Sequence, residues 1–145
     1  MVVHLLKMSV GTDDVADLAR WQKKRAIDRK AEGGPKRPFH RTRHMPKRAD
    51  EILSGGSIYW IIKGRIRARQ RIVAIELLEN TEGEKRCRLD LDPKLVRVVP
   101  QPARPMQGWR YLKVEDAPPD LDAATGSDTP LPEKMVEELR DLGLL

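Results

Sequence analysis

Arg65, Arg67, Arg69 and Arg71 alternate with Ile66, Ala68 and Gln70. On a β-strand successive side chains point to opposite faces, so this spacing sets four guanidinium groups on one side of a sheet. They would repeat every two residues of strand rise, ~6.6 Å. That is about twice the ~3.4 Å axial spacing of phosphates along one strand of a duplex, and close to the reach of an extended single strand. Each guanidinium can grip two phosphate oxygens at once, so the chemistry this ladder predicts is polyanion binding. An ordinary solvent face, paired across strands with Glu76, Glu84 and Asp90, accounts for the same spacing.

A second basic stretch lies upstream. Residues 36–48 gather Lys36, Arg37, Arg41, Arg43, Lys47 and Arg48 around Phe39, His40 and His44, between prolines. Positive charge interleaved with stacking rings is the composition used to hold single-stranded nucleic acid. A solvated loop has the same composition, but a loop of this length without structure of its own is uncommon. Trp60, Trp109 and Tyr111 are three of the six Phe, Trp and Tyr residues. Tyr59 and Trp60 take opposite faces of one strand, so at most one of them is expected in the core. If Arg110 faces outward, Trp109 and Tyr111 are core and Arg110 joins the basic surface; the alternative is a pocket that stacks a base. Lys63, in a Lys-Gly turn, adds one more cation.

Catalytic chemistry finds little support. His40 and His44 stand four apart in a proline-flanked loop without the glutamate of a zinc-hydrolase helix. Asp50-Glu51 reads as an ion-paired helix start beside Lys47 and Arg48. Cys87, the only cysteine, lies opposite Arg86 and Arg88 on its strand and reads as buried and structural. The Gly55-Gly56-Ser57 turn lacks the spacing of a phosphate-binding loop. No metal, cofactor or catalytic residue is expected.

Charge distribution frames these motifs. The chain has 145 residues, of which 39% are hydrophobic and 34% charged, with a net charge of +6. Residues 20–71 hold seventeen Lys and Arg against four Asp and Glu, whereas residues 114–145 hold two against nine. A basic body with an acidic tail results, and the tail can lie over the basic face. One cysteine excludes a disulfide framework and a cysteine zinc site. The opening run Val2–Met8 is too short and too polar for a signal peptide or a membrane span, so a cytoplasmic protein is expected.

Hydrophobic periodicity supplies the elements that must position these groups. Residues 2–10 read as a strand ending at Gly11, followed by a helix capped by Asp13 or Asp14 and ended by Gly33-Gly34-Pro35. Ala49–Leu53 reads as one helical turn. Strands are predicted at about 57–63, 65–78, 84–91 and 94–99, with Asn80-Thr81-Glu82-Gly83 as a hairpin turn and Asp92-Pro93 as another. Residues 106–112 return as a last strand. From Ala117 the composition becomes that of a linker, until Pro132 and Gly143 bracket a short amphipathic helix with Met135, Val136 and Leu139 apolar.

Several of these segments stand together in a known pattern. Met45-Pro46-Lys47-Arg48 with Asp50-Glu51, Gly55–Gly64, Arg69-Gln70-Arg71-Ile72, Leu91-Asp92-Pro93 and Gln107–Leu112, with His4–Lys7, resemble a bacterial, mainly alphaproteobacterial, family. That family is catalogued as domain of unknown function 1489. The resemblance covers roughly residues 1–121 and implies no activity. The Lys-Gly turn and late Gly-Trp-Arg-Tyr strand are also loosely similar to PUA-like modules such as ASCH and EVE domains. That likeness implies a small, partly closed β-barrel, and several such modules bind RNA or modified bases.

The expectation is one α+β domain over residues 1–121, with an N-terminal helix and a curved antiparallel sheet or partly closed barrel. Residues 122–145 form an acidic tail with its helix. The expected function is non-catalytic nucleic-acid binding, RNA ahead of DNA because no helix-turn-helix is evident. Arg65, Arg67, Arg69, Arg71, Lys47, Arg48, Arg41, Arg43, Lys63 and Arg110 would hold phosphates, and Trp60 would stack or shape a base pocket. One alternative is an enzyme or binder acting on a nucleotide or other anionic small molecule. The other is an adaptor whose C-terminal helix docks a protein partner. No membrane partner is expected.

Overall fold

The alternating runs become seven strands in a computed structural model, which describes residues 1–125 and 131–145. They are β1 (His4–Met8), β2 (Phe39–Thr42), β3 (Ser57–Ile62), β4 (Arg65–Glu79), β5 (Lys85–Leu91), β6 (Val96–Pro102) and β7 (Trp109–Leu112). Four α-helices join them among the described residues: α1 (Val15–Ala31), α2 (Ala49–Leu53), α3 (Leu121–Thr125) and α4 (Glu133–Asp141). The linker reading from Ala117 is replaced at Leu121–Thr125 by a helical turn, and its residues 126–130 lie outside the described residues.

The sheet runs β2-β5-β4-β3-β1-β7, with β6 pairing β4 beyond the end of β5. It is mixed, because β1 and β3 run parallel while the other pairs are antiparallel. The expectation of a purely antiparallel sheet is corrected there. A parallel pair needs a long crossover connection, which α1, β2 and α2 supply between β1 and β3. The sheet is not closed into a barrel: β2 and β7 are its two ends and do not pair.

Both faces of the centre are covered, which explains the continuous apolar run of β3, buried at every position. On one face Leu5, Ile58, Trp60, Ile62, Ala68 and Ile72 pack under Val15 and Leu18 of α1 and Ile52 of α2. On the other, Tyr59, Ile61, Ile66, Val98 and Leu112 pack with Met106, between β6 and β7, and Ala117, after β7. Tyr59 and Trp60 are therefore both core, at 5% and 3% exposure. Each such side chain contributes roughly 1.5–3 kcal/mol by its burial.

Local chemistry sets the ends of the elements. Asp14 caps α1 by accepting from the Asp17 N–H at 2.7 Å. The next two free N–H groups, of Val15 and Ala16, both donate to the Glu133 carboxylate of α4 at 3.0 Å. Asn80 Oδ1 accepts from the Glu82 and Glu84 N–H groups, and Gly83 takes φ 80°, closing the β4–β5 hairpin.

Two bulges shape β4. Trp60 pairs with Ala68 and Tyr59 with Arg69, but Ile61 pairs with Ile66 and Ile62 with Arg65, leaving Arg67 as the extra residue. Directly paired residues share a face, so Arg65 projects with Ile62 while Arg69 and Arg71 project with Tyr59 and Ser57. The one-sided arginine ladder is thus broken by an irregularity that alternation alone does not reveal.

Gly56 marks the tightest packing. A Cβ built there meets the Val3 carbonyl oxygen at 2.3 Å and the Ile52 carbonyl oxygen at 2.7 Å, both backbone atoms that side-chain motion cannot clear. Gly56→Ala is expected to destabilise the chain by about 3 kcal/mol, a cost of overpacking. Urea unfolding within about 0.5 kcal/mol of the parent would contradict this packing.

Candidate nucleic-acid interface

The predicted arginine ladder is occupied from within the chain. Arg65 meets Glu137 at 2.7 Å and Asp141 at 2.9 Å, and Arg67 pairs with the same Glu137 while its Nε donates to the Ile62 carbonyl oxygen at 2.6 Å. Arg69 makes a bidentate contact with Asp120, at 2.6 and 2.8 Å, and donates to Ser57 Oγ at 3.1 Å. That contact holds the Asp120 carboxyl below the usual carboxylate range and raises the guanidinium of Arg69. Arg71 is exposed and has no ion pair among the described residues.

The acidic segment lies over basic groups because it is anchored at several points. Val136 is buried against the body, Arg140 Nε donates to the Pro100 carbonyl oxygen at 2.7 Å, and Arg97 donates to that of Leu131. Charge complementarity between tail and body, visible in the composition, is here a set of named contacts.

Other predicted cations divide by their partners. Lys63 holds φ 49° in the β3–β4 turn and reaches Asp13 at 3.2 Å. Arg48 pairs with Glu51 at 2.5 Å across the first turn of α2, and its guanidinium lies 5.3 Å from the Tyr111 ring. Arg110 is exposed but pairs with Leu6, on the face opposite Trp109 and Tyr111. Arg41, Arg43 and Lys47 are exposed and lack a carboxylate partner among the described residues.

These last three stand where the sheet fails to close. The segment read as a structureless loop contains β2, an edge strand paired only to β5. Its prolines, Pro38 and Pro46, fall outside the strand, which is how a proline-rich stretch still supplies one. The backbone after β2 is tied to β7 by two bonds: Trp109 Nε1 donates to the His44 carbonyl oxygen at 3.0 Å, and the Arg48 N–H donates to Tyr111 Oη at 3.1 Å. Trp109 and Tyr111 meet edge to face at 5.0 Å. Neither belongs to the deep core as expected: Trp109 is part-buried and Tyr111 is 36% exposed.

Two cavities line this seam and share Lys7. One, of about 290 Å³, lies among Lys7, Arg41, Arg43, His44, Gln107 and Trp109. The other, of about 300 Å³, reaches Trp21 and Leu18 of α1, Phe39 and His40 of β2, and Trp60 of β3. Trp60 is thus core by exposure and also a cavity wall, edge to face with His40 at 5.3 Å. Its indole N–H donates to Gln70 Oε1 at 3.2 Å. Gln70 is fully buried, exchanges two bonds with Gln22 of α1 at 2.9 and 2.7 Å, and donates to the Asp92 carbonyl oxygen at 2.8 Å.

Electrostatics around the second cavity are unbalanced. Asp90, only 6% exposed, serves Arg29 and Arg88, both at 3.1 Å, and Arg37 at 3.9 Å. Arg25 has no such partner among the described residues: it stacks 4.4 Å from the Phe39 ring and 4.7 Å from that of Trp21. Burial, then the charge of Arg41, lowers its affinity for its proton. Burial also lowers the pKa of Lys7. His40 is pushed down to about 4, by burial first and then by Lys7 and Arg25. Its Nε2 is closed to solvent and has no hydrogen-bond partner among the described residues. Sequence reasoning named Phe39 and His40 in the basic stretch, but missed Lys7, Trp21 and Arg25 as their neighbours. A Trp four residues before an Arg on the polar side of a helix was the available signal.

No cluster of three or more His, Cys, Asp or Glu side chains that could hold a metal occurs among the described residues. Cys87 is buried, and burial pushes its thiol pKa up. No helix among the described residues is long and apolar enough to cross a membrane. The chain belongs to the family described as protein of unknown function (DUF1489), whose model matches residues 5–145. The match takes in the acidic C-terminal segment, which the motif resemblance over residues 1–121 leaves out. No curated protein and no solved structure matches the chain.

The state of His40 has a measurable consequence. Its folded pKa lies below the ordinary 6.5, so the unfolded chain takes up a proton first as pH falls. The stability it contributes is present above about pH 6.5 and lost progressively toward pH 4, by up to roughly 3 kcal/mol. His4, lowered by burial and then by Arg69, acts in the same direction. Asp120 and Glu51, held low by their arginines, lose theirs in the more acidic carboxylate range. His40→Phe should flatten the decline between pH 6.5 and 4.5 in urea titrations. An unchanged slope in that variant would place the proton elsewhere.

Proposed function

We propose that the chain is a non-catalytic module that binds single-stranded nucleic acid, RNA ahead of DNA, along the seam between β2 and β7. The observation that carries this reading is the pairing of fixed, part-exposed rings with cations that have no internal partner. Trp109 and Tyr111 are held by hydrogen bonds to the His44 and Arg48 backbone. Ordering them therefore costs little when a base stacks. Arg41, Arg43, Lys47 and Lys7 flank them and supply phosphate contacts.

The ladder arginines are assigned a smaller part than the sequence expectation gave them. Arg65, Arg67 and Arg69 already hold carboxylates, so a phosphate would have to displace Glu137, Asp141 and Asp120. Single strands are favoured over duplexes because rings in a seam read unstacked bases, which a duplex does not present. RNA is placed ahead of DNA because reading splayed bases is the usual mode of sequence-specific RNA recognition. The PUA-like likeness agrees with this reading, which does not rest on it.

Fluorescence anisotropy with labelled single- and double-stranded RNA and DNA, at about 50 and about 200 mM salt, tests the proposal. Single strands should bind more tightly than duplexes and weaken steeply with salt. The triple variant Arg41→Ala, Arg43→Ala, Lys47→Ala should lose at least about tenfold in affinity and flatten the salt slope by roughly two, about 0.7 for each lost contact. Absence of binding at the lower salt, or an unchanged slope in the variant, would refute the seam as the interface.

A further inference from the structure

We infer that the cavity between β1, α1 and β2 is a subsite for one nucleotide, its base enclosed beside Trp21 and Trp60 and its phosphate held by Lys7, Arg25 and Arg41. This rests on the single-strand reading and deepens it, by naming the position at which one nucleotide leaves the seam. The same chemistry describes a free mononucleotide, and the experiment below separates the two sources.

Three observations converge on that ligand class. Phe39, Trp21 and Trp60 are half of the chain's Phe, Trp and Tyr residues, and all three line this one cavity of about 300 Å³. Trp21 is 52% exposed although its helix neighbours Leu18 and Gln22 are buried. Its ring lines the cavity and stacks with Arg25 at 4.7 Å. A flat aromatic ligand completes that stack.

The charges around the mouth call for an anion. The single carboxylate of Asp90 is shared by Arg29, Arg37 and Arg88, one strand and one helical turn away. Lys7, Arg25 and Arg41 make no ion pair among the described residues; Arg25 and Arg41 both lie over the Phe39 ring, Arg41 lowers the pKa of Arg25, and Lys7 and Arg25 lower that of His40. Stacking on Phe39 and Trp21 accounts for the placement of Arg25, but it leaves the cluster's charge uncompensated. A phosphate relieves that repulsion, and an aromatic body attached to it fills the cavity behind.

The walls also set the selectivity. The amides of Gln22 and Gln70 are bonded to each other, to Trp60 and to the Asp92 carbonyl, so neither is free to read a base edge. His40 is neutral at physiological pH and its Nε2 is closed off. Discrimination then comes from stacking area, which favours purines over pyrimidines and leaves adenine and guanine close together.

Tryptophan fluorescence of the full chain, titrated at low salt with AMP, GMP, CMP, UMP, adenosine and inorganic phosphate, tests the assignment. AMP and GMP should quench saturably, with CMP and UMP several-fold weaker and adenosine or phosphate alone at least tenfold weaker. Trp21→Ala and Arg25→Ala, both at accessible positions, should each weaken AMP at least tenfold, and Arg25→Lys should recover part of the loss. Phosphate binding as tightly as AMP, or AMP affinity unchanged in Trp21→Ala and Arg25→Ala, would overturn the subsite. Oligonucleotide binding with no response to any mononucleotide, and no effect of Trp21→Ala on it, overturns the subsite while the seam stands. AMP binding without oligonucleotide binding supports the subsite as a free-nucleotide site and refutes the strand reading.

Discussion

Gln70 sits with no exposure at the middle of the longest strand, and its amide makes every bond it can make. Oε1 accepts from Gln22 and Trp60, and Nε2 donates to Gln22 and to the Asp92 carbonyl oxygen. A buried amide left unpaired costs about 1–3 kcal/mol per group, so each of the four bonds holds its partner in place. The partners belong to α1, to β3 and to the turn that ends β5. The tilt of α1 over the sheet, the rotamer of Trp60 and the break between β5 and β6 therefore share one origin. Because Gln22 faces inward to meet Gln70, Trp21, one position earlier, is turned outward to the cavity mouth.

Sorting the cations by partner explains why a chain this basic folds. The acids of the C-terminal segment cover Arg65, Arg67 and Arg69, and Asp90 gathers Arg29, Arg37 and Arg88. Exposed ion pairs contribute only about 0–1 kcal/mol each, but bidentate and shared contacts such as Arg69–Asp120 and Arg65–Glu137–Arg67 are the stronger kind. Glu133 adds a different contribution, capping the N-terminus of α1 from α4. The tail is thus a structural part of the domain, and the family match through residue 145 agrees with that. Among the cations without an ion pair in the described residues, Arg41, Arg43 and Lys7 meet at this seam and Arg25 stacks beside it on Phe39.

Element types were legible in the sequence wherever one local rule decided them. β-Branched runs marked β3 and β4, Asp13 or Asp14 marked the start of α1, where Asp14 is the cap, Asn80–Gly83 marked the hairpin, and Pro132 with Gly143 bracketed α4. Long-range pairing was not legible. The bulge at Arg67 depends on how β3 and β6 both grip β4, so strict alternation gave a ladder with one face where the fold gives two. β2 was hidden because four residues between prolines carry too little pattern, and only the edge of β5 makes them a strand. Tyr59 and Trp60 misled by the same route, since a strand covered on both faces keeps both residues in the core. Of the expected site residues, Arg41, Arg43, Lys47 and Trp60 come together at the seam. Lys7 and Arg25 arrive there from β1 and α1, which no spacing rule connects.

An open sheet edge needs protection from pairing with another chain, and exposed charge on β2 supplies it. That requirement alone explains Arg41 and Arg43, together with prolines at either end of the strand. It does not explain the rings. Edge protection is served by lysine and proline, and exposing Trp21, Trp109 and Tyr111 beside an unpaired edge works against it by adding apolar surface. Nor does core packing explain them, because Trp21 and Tyr111 leave a third or more of their surface in solvent while the core closes without them. Trp109 and Tyr111 are further restrained by bonds to backbone groups across the gap. Rings that are exposed, fixed and bordered by cations without partners are the combination that phosphate-linked bases require. The gap where the sheet fails to close is where they meet: it holds Trp109 and Tyr111, bonded to backbone across it, and the cavity lined by Lys7, Arg41, Arg43 and Trp109.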